Sequence, residues 1–310
     1  METRLIVDAP LPGATNMALD EVLLENVGAN GRATLRFYRW SEPTLSLGYF
    51  QRYDERYGHA ASAGCALVRR STGGGAILHD RELTYCLAVP TADERLADNR
   101  RLYDAVHEAL VAELAALGMT ASLHQVVAAR EAESPAAEPR LFSIEPARQP
   151  GQPSRTEDLS RPEQSAASAA IESSAESASP ASSLPASSST ASSSTGAREP
   201  FLCFQRRAAG DVVLSGFKVC GSAQRRQHGV VLQHGSLLLA RSPRAPELPG
   251  LEELGEAAVD LEAFRQRWCD GIARRLDLVL RPSCWEKVEI ERASRLELDR
   301  YRSADWNRRR

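Results

Sequence analysis

One cysteine and one lysine, fifteen residues apart, are the first candidates for chemistry in this sequence. Cys203 follows Pro-Phe-Leu, and Lys218 lies in the glycine-flanked segment 216–221. Only Lys218 and Lys287 are lysines among the 38 basic residues, so arginine occupies nearly every other basic position. Because arginine cannot replace a compact ammonium in a tight site, we interpret Lys218 as a functional lysine that could face a phosphate, a carbonyl or a thiolate. The alternative is a surface lysine on a strand.

The residues alone do not decide whether Cys203 is a small core residue or a nucleophile. A thiol is only slightly ionised at neutral pH, and a nearby lysine or a set of backbone N–H groups would favour the thiolate. Cys220 lies two residues after Lys218 on the same predicted strand, so we expect these two side chains to share a face. The remaining cysteines are predicted to be core residues: Cys65, Cys86, Cys269 and Cys284.

A run of three glycines, Gly73-Gly74-Gly75, lies between two predicted strands. Consecutive glycines allow unusual dihedral angles and let backbone N–H groups approach a ligand closely. Arg70, just before the run, offers donors suited to a phosphate or carboxylate, and His79 and Asp80 after it could orient a polar group or close the loop. The pattern is neither a Walker loop nor a dinucleotide fingerprint. It predicts a ligand-binding loop, and the alternative is a flexible turn with solvated arginines.

The elements that would position these residues are both strands and helices. Strand composition is found at 34–40, 44–50, 66–70 and 83–89, and Ser215-Gly216 predicts a hairpin between 211–214 and 217–220. Thr15 or Asn16 is the expected cap of a first helix, and Asp260 that of a late one. Because the strands come in neighbouring groups with short turns, we expect an α+β fold with a mixed or mostly antiparallel sheet flanked by helices.

The central segment 127–199 differs in composition from both flanks. At 165–195, 14 of the 31 residues are serine and 9 are alanine. Such a segment buries too little apolar surface to offset its ordering entropy, so we predict a disordered insertion. Neither flank looks self-contained. We therefore expect 1–126 and 200–310 to be two parts of one domain, the second with a helical tail.

Overall composition excludes several function classes. The net charge of −3, from 38 basic and 41 acidic residues, argues against nucleic acid as a partner. No apolar run reaches 18 residues, so no membrane span is expected. The six cysteines lack metal-ligand spacing, which predicts no metal site and a reduced, cytoplasmic protein.

Five separated motifs resemble one family, the lipoate–protein ligase and octanoyltransferase superfamily, which shares its fold with biotin–protein ligases. In chain order they are a helix motif at 16–21, paired strands at 37–51, a signature loop at 69–85, a lysine strand at 218–224 and a tail at 301–307. Cys203-Phe204 precedes Lys218 by fifteen residues, which resembles the cysteine-dependent octanoyltransferase branch. The resemblance covers nearly all of the chain outside 127–199.

This resemblance implies an activity and its partners. The octanoyltransferase branch takes octanoate from acyl carrier protein onto an enzyme cysteine and passes it to a lysine of a lipoyl carrier, such as the glycine-cleavage H protein or a dehydrogenase lipoyl domain. That reaction needs no cofactor. The alternatives are an ATP-dependent lipoate–protein ligase, which would use Mg-ATP and an acyl-adenylate, and a non-catalytic module that binds carrier domains.

The resemblance also implies roles for single residues. Cys203 would be the nucleophile, and Lys218 would stabilise its thiolate and the developing oxyanion. His79 and His234 are candidates for the base that the acceptor amine requires. The expected substrate-binding or acyl-binding residues are Arg70, Gly73, Gly74, Gly75, His79, Asp80, Gly221 and Ser222.

Overall fold

The structure, a computed structural model, describes residues 1–93, 96, 98–125, 199–255 and 259–310. The predicted insertion lies outside the described residues, except for residue 199. The helices are α1 (Gly13–Asn30), α2 (Asn99–Ala116), α3 (Leu251–Leu254), α4 (Leu261–Leu276), α5 (Lys287–Leu296) and α6 (Ala304–Asn307). Within the described ranges, no helix is both long and apolar enough to cross a membrane.

Two sheets contain the strands of the described residues. The larger has the order β11-β1-β2-β6-β10-β9-β8-β7, and the smaller has the order β4-β3-β5. The strands are β1 (Glu2–Val7), β2 (Ala33–Tyr38), β3 (Thr44–Leu47), β4 (Ala66–Arg69), β5 (Ile77–His79), β6 (Glu82–Pro90), β7 (Ala121–Leu123), β8 (Val212–Leu214), β9 (Phe217–Gln227), β10 (Val230–Leu238) and β11 (Val279–Pro282).

Both sheets contain parallel and antiparallel pairs. β1 pairs in parallel with β11 and β2, and the large sheet is antiparallel from β2 through to β7. In the small sheet β3 is parallel to β4 and antiparallel to β5. The predicted α+β fold with a mixed sheet flanked by helices is therefore confirmed.

The large sheet separates two apolar layers. On one face α2 and α4 pack around Trp268, whose indole N–H donates to the carbonyl of Val106 at 3.1 Å. On the other face α1 packs with Tyr38, Trp40 and Cys86 in a second cluster. The central strands β2 and β6 lie between these two layers, which explains why they are buried along nearly their whole length.

Local signals predicted some boundaries and missed others. The hairpin is confirmed: Ser215 and Gly216 have φ of 49° and 80°, the two positive values that a type I′ turn requires. Asp260 caps α4 by accepting from two backbone N–H groups. The expected cap at Thr15 or Asn16 is wrong, because α1 begins at Gly13 after Pro12. Asn16 is instead a buried helix residue.

Candidate active site

The glycine loop and the cysteine segment are joined by backbone hydrogen bonds. The N–H of Cys203 donates to the carbonyl of Ala76 at 2.7 Å, and the N–H of Ala76 donates to the carbonyl of Phe201 at 3.2 Å. A short 3₁₀ turn, Cys203–Gln205, begins at this point. The thiol is therefore attached to the end of the loop that contains Gly73–Gly75, and it is partly exposed.

Lys218 brings a positive charge to the sulfur of Cys203. Its Nζ lies 3.8 Å from Sγ and 2.9 Å from Oδ2 of Asp211. The lysine and aspartate side chains are 5% and 1% exposed, so this ion pair is shielded from water. The ammonium therefore lies where it can stabilise negative charge that develops at or beside the sulfur.

A β-bulge in β9 decides which way Lys218 points. Val213 pairs with Lys218 but Val212 pairs with Cys220, so Val219 is an extra residue on this strand. The expectation that Lys218 and Cys220 share a face is therefore wrong. Cys220 is in the core, 4.0 Å from the ring of His107, and burial raises the pKa of its thiol well above the usual range.

A cavity of about 290 Å³ opens beside these residues. One part of its wall is apolar, from Met17, Tyr38, Trp40, Ile77 and Phe204. The sequence-predicted residues that line it are Arg70, Gly73, Gly74, His79, Cys203, Lys218, Gly221, Ser222 and His234. The fold thus brings most of the predicted site to one place.

Arg70 holds the glycine loop from within. Its Nη2 donates to the carbonyls of Gly73 and Gly75, both at 2.7 Å, and its Nη1 donates to the carbonyl of Ser46 at 3.0 Å. Burial lowers the pKa of Arg70 to about 10. The Nη atoms are thus engaged by the loop and by β3, whereas Nε has no hydrogen-bond partner among the described residues, and the contact of Arg70 with a phosphate or carboxylate stays a prediction.

The loop offers free backbone donors. In the part of the chain that the structure describes, the N–H groups of Gly73, Gly74 and Gly75 donate no hydrogen bond. Gly74 has φ of 93°, a backbone conformation that residues other than glycine rarely adopt. Gly75 borders the cysteine, since a β-carbon added to it would lie 3.3 Å from Cα of Cys203.

The two candidate histidine bases line the cavity with both ring nitrogens engaged. His79 contacts Glu82 through Nδ1 at 2.6 Å and Ser46 through Nε2 at 2.8 Å. Burial lowers the pKa of His79, although Glu82 opposes this. His234 contacts Asp20 through Nδ1 at 3.3 Å and Thr72 through Nε2 at 2.7 Å.

The buried acid beside His234 stays ionised. Burial by itself would raise the pKa of Asp20, but the hydrogen bond with His234 and the charge of Arg36 lower it below its usual value. Arg36 donates to Asp20 at 2.7 Å. The N-terminal helix motif thus supplies a fixed negative charge behind the cavity wall.

Three further predicted residues differ in what they contact. Asp80 is absent from the cavity lining and accepts a hydrogen bond from Ser242 at 2.7 Å, so its position does not fit substrate contact. Ser222 borders the cavity, but its hydroxyl contacts His107 at 2.7 Å on the far side of the sheet. Gly221 gives room to Lys218, because a β-carbon there would lie 2.4 Å from Cε of the lysine.

Comparison with known proteins identifies the family of this chain. The family model of the Lipoyl protein ligase A/B catalytic domain matches residues 12–132 and 189–268. The chain belongs to this family. The octanoyltransferase LipM of Kyrpidia tusciae is 29% identical over 98% of this chain and 97% of the relative. LipM of Brevibacillus brevis is 28% identical over 99% of both chains.

Solved structures show the same fold. A bi-partite lipoate protein ligase from Thermoplasma acidophilum, solved in a structural analysis with its E2 lipoyl domain, superposes with a TM-score of 0.61 at 18% identity. The match covers 99% of this chain and 96% of the ligase chain. The Lipoyl protein ligase A/B fold is therefore preserved at low sequence identity.

The sequence analysis did not predict two residues of the candidate site. Asp211 and Tyr103 meet at 2.9 Å beneath Lys218. A buried lysine requires a counter-charge, and that requirement was a usable signal. It could not indicate which of the many acidic residues supplies the charge. In the described residues, no cluster of three or more histidine, cysteine or acidic side chains could hold a metal ion.

Proposed function

We propose that this protein is an octanoyltransferase of protein lipoylation that works through a thioester on Cys203. Two observations support the proposal. The curated relatives at near full length are named octanoyltransferases. The thiol of Cys203 lies beside an ammonium and a loop of unused backbone donors, as acyl transfer requires.

The first half-reaction loads the enzyme. The Cys203 thiolate attacks the carbonyl carbon of an octanoyl thioester, and the tetrahedral intermediate collapses by breaking the bond to the donor sulfur. The octanoyl group is then on Sγ, and the donor leaves as a thiolate that takes up a proton. Lys218 and the N–H groups of Gly73–Gly75 are the donors that would stabilise the oxyanion.

The second half-reaction releases the product. A neutral lysine amine of the carrier attacks the Cys203 thioester, an amide bond forms, and the sulfur leaves as a thiolate held by Lys218. The amine must lose its proton, since a free lysine has a pKa of about 10.4. Both ring nitrogens of His79 and His234 are already engaged, so we propose that solvent in the cavity accepts this proton.

The apolar wall of the cavity suits a fatty acyl chain. Met17, Tyr38 and Trp40 provide apolar surface on the α1 side of the sheet. Each buried methylene of the tail would contribute about 0.8 kcal/mol. An eight-carbon chain can therefore be held without any charged contact along its length.

The donor we propose is octanoyl-acyl carrier protein, and the acceptors are lipoyl carriers such as the glycine-cleavage H protein and dehydrogenase lipoyl domains. The analysis of a ligase of the same fold together with its E2 lipoyl domain supports an acceptor of this type. The proposed reaction starts from an activated thioester, so it needs neither ATP nor another cofactor. We place it in the cytoplasm, where a reduced Cys203 persists.

The distance of 3.8 Å between Cys203 Sγ and Lys218 Nζ is the observation on which the proposal depends. The test is intact-protein mass spectrometry after mixing with octanoyl-acyl carrier protein, without ATP. Wild-type protein should gain an octanoyl adduct that hydroxylamine removes. The Cys203→Ser variant should form no hydroxylamine-sensitive adduct. Cys284→Ser is the matched control, because the prediction that Cys284 lies in the core is wrong and this cysteine is exposed.

Other outcomes would contradict the proposal. Carrier modification that appears only with ATP and free lipoate, and persists in Cys203→Ser, would identify a ligase. Binding of a carrier domain without modification under either condition would identify a non-catalytic module.

A further inference from the structure

We propose that Asp211 is a positioning residue for acyl transfer, one that holds the ammonium of Lys218 beside the sulfur of Cys203. The inference rests on the proposed function, and it assigns a role to a residue behind the thiol. Asp211 precedes β8, while Lys218 lies on β9 across the Ser215-Gly216 turn.

The carboxylate of Asp211 is fixed on several sides. Oδ2 accepts from Nζ of Lys218 at 2.9 Å and from the backbone N–H of Ala208 at 2.6 Å. Oδ1 accepts from the hydroxyl of Tyr103 at 2.9 Å. Because α2 and the 208–211 loop supply these other donors, the carboxylate cannot rotate freely to follow a moving lysine.

The lysine has little freedom of its own. Its stem passes over Gly221, and its Nζ lies 5.5 Å from the ring centroid of Phe204. In the described ranges, Asp211 is the carboxylate that forms an ion pair with Lys218. A charged lysine side chain that is only 5% exposed is costly without such a partner, so removal of the carboxylate would favour a displaced Lys218 side chain.

Asp211 could also oppose the reactions of the Cys203 thiolate instead of promoting them. A negative charge near Cys203 opposes thiolate formation directly, whereas an effect through Lys218 promotes it. The two effects differ in sign. If Asp211 acts through Lys218, removal of its charge must slow the reactions of the Cys203 thiolate, and if the direct repulsion dominates, removal must accelerate them.

The experiment measures two rates in a Cys284→Ser background, which removes the exposed cysteine. One is alkylation of Cys203 by iodoacetamide at neutral pH, followed by mass spectrometry. The other is single-turnover acylation by octanoyl-acyl carrier protein. The variants are Asp211→Asn, Asp211→Glu, Tyr103→Phe and Lys218→Ala. Asp54→Asn, which breaks an exposed ion pair with Arg52, is the matched control.

We expect Asp211→Asn to slow alkylation and acylation by about tenfold or more, with the KM for the donor nearly unchanged. Asp211→Glu should recover part of the loss, and Tyr103→Phe should give a smaller loss of the same kind. In the Lys218→Ala background, Asp211→Asn should have no further effect, because both changes act through one group. Asp54→Asn should match the background.

Three results would overturn the proposal: an unchanged alkylation rate in Asp211→Asn, a faster one, or an additive loss with Lys218→Ala. If Asp211→Asn fails to fold, the Tyr103→Phe variant provides the test instead. An unchanged alkylation rate in that variant would also overturn the proposal. Alkylation does not depend on the octanoyl donor. A wild-type protein that is alkylated rapidly but never acylated would therefore contradict the proposed function and leave the role of Asp211 separately measurable.

Discussion

Gly48 and Gly74 touch backbone to backbone where β3 meets the glycine loop. A β-carbon placed on Gly48 would lie 2.0 Å from the carbonyl oxygen of Gly74 and 3.3 Å from Nη2 of Arg70. Neither neighbour can yield easily, because the first is backbone and Arg70 is held by loop carbonyls. Gly48 therefore determines how closely the loop approaches the small sheet.

Replacing Gly48 with alanine should displace the glycine loop and slow acylation of Cys203. A forced contact of this kind costs about 1–3 kcal/mol, so the melting temperature should also fall. Gly64→Ala is the control, since a β-carbon there meets nothing within 4 Å. Thermal unfolding and single-turnover acylation measure the two effects. Equal melting temperatures and equal acylation rates in the two variants would show that the loop tolerates the displacement.

Replacing Gly221 with alanine should act on the lysine rather than on the loop. The new β-carbon would lie 2.4 Å from Cε and 2.7 Å from Nζ of Lys218, so the side chain must leave its place beside Cys203. We expect acylation to fall by about tenfold or more while the fold persists, because the clashing group is a flexible side chain. Circular dichroism and acylation rates check this, and normal acylation would mean that Lys218 finds an equivalent position.

His107 should make stability depend on pH. It is buried, and burial lowers its pKa to about 4 from the usual 6.5. Between these values the unfolded chain binds a proton at this position that the folded chain does not, so the free energy of unfolding decreases as the pH falls from about 6.5 to 4.

The His107→Gln variant lacks this titration. Denaturant unfolding at pH 7 and pH 4.5 should show a loss of stability that is about 2 kcal/mol smaller in the variant than in wild type. The comparison of slopes is independent of any constant stability change that the substitution itself causes. Parallel pH dependence in the two proteins would argue that His107 is protonated in the folded state.

Deletion of residues 154–195 should leave acyl transfer intact, as the Ser/Ala-rich composition predicts. The ends of the flanking elements are joined independently: the N–H of His124 donates to the carbonyl of Asp211 at 2.7 Å, and the N–H of Gly210 donates to the carbonyl of His124 at 2.8 Å. Because the entropic cost of closing a connection grows only slowly with its length, the deletion should change stability by less than about 1 kcal/mol if the segment is disordered as predicted. Carrier modification followed by mass spectrometry tests this, and a folded variant that no longer modifies its acceptor would contradict it.

Sequence patterns predicted the features that depend on a few neighbouring residues. The Ser215-Gly216 turn and the Asp260 cap are of this kind, because the residues that form them are adjacent in the chain. β4, before Gly73–Gly75, and β6, after it, were also predicted, since apolar and β-branched residues are typical of buried strands, whereas the short β5 between the loop and β6 was not.

Features that depend on distant parts of the chain were not predicted. Asn16 has the side chain of a helix cap, but it is drawn into the core by the carbonyls of Leu11 and Arg39. The bulge that separates Lys218 from Cys220 depends on the register with β8. The hydrogen bond from Tyr103 to Asp211 joins α2 to a loop, and no local sequence pattern predicts it.

The order of strands in the large sheet has a consequence for biosynthesis. β1 is hydrogen-bonded on one side to β11, whose residues 279–282 come much later in the chain. β6 is likewise hydrogen-bonded to β10, which is synthesised later. Until β11 and β10 have been synthesised, β1 and β6 therefore have open edges, and such edges are prone to pair with other chains. Cys203 is likewise synthesised before Lys218, so its thiol has no neighbouring ammonium until β9 has been made.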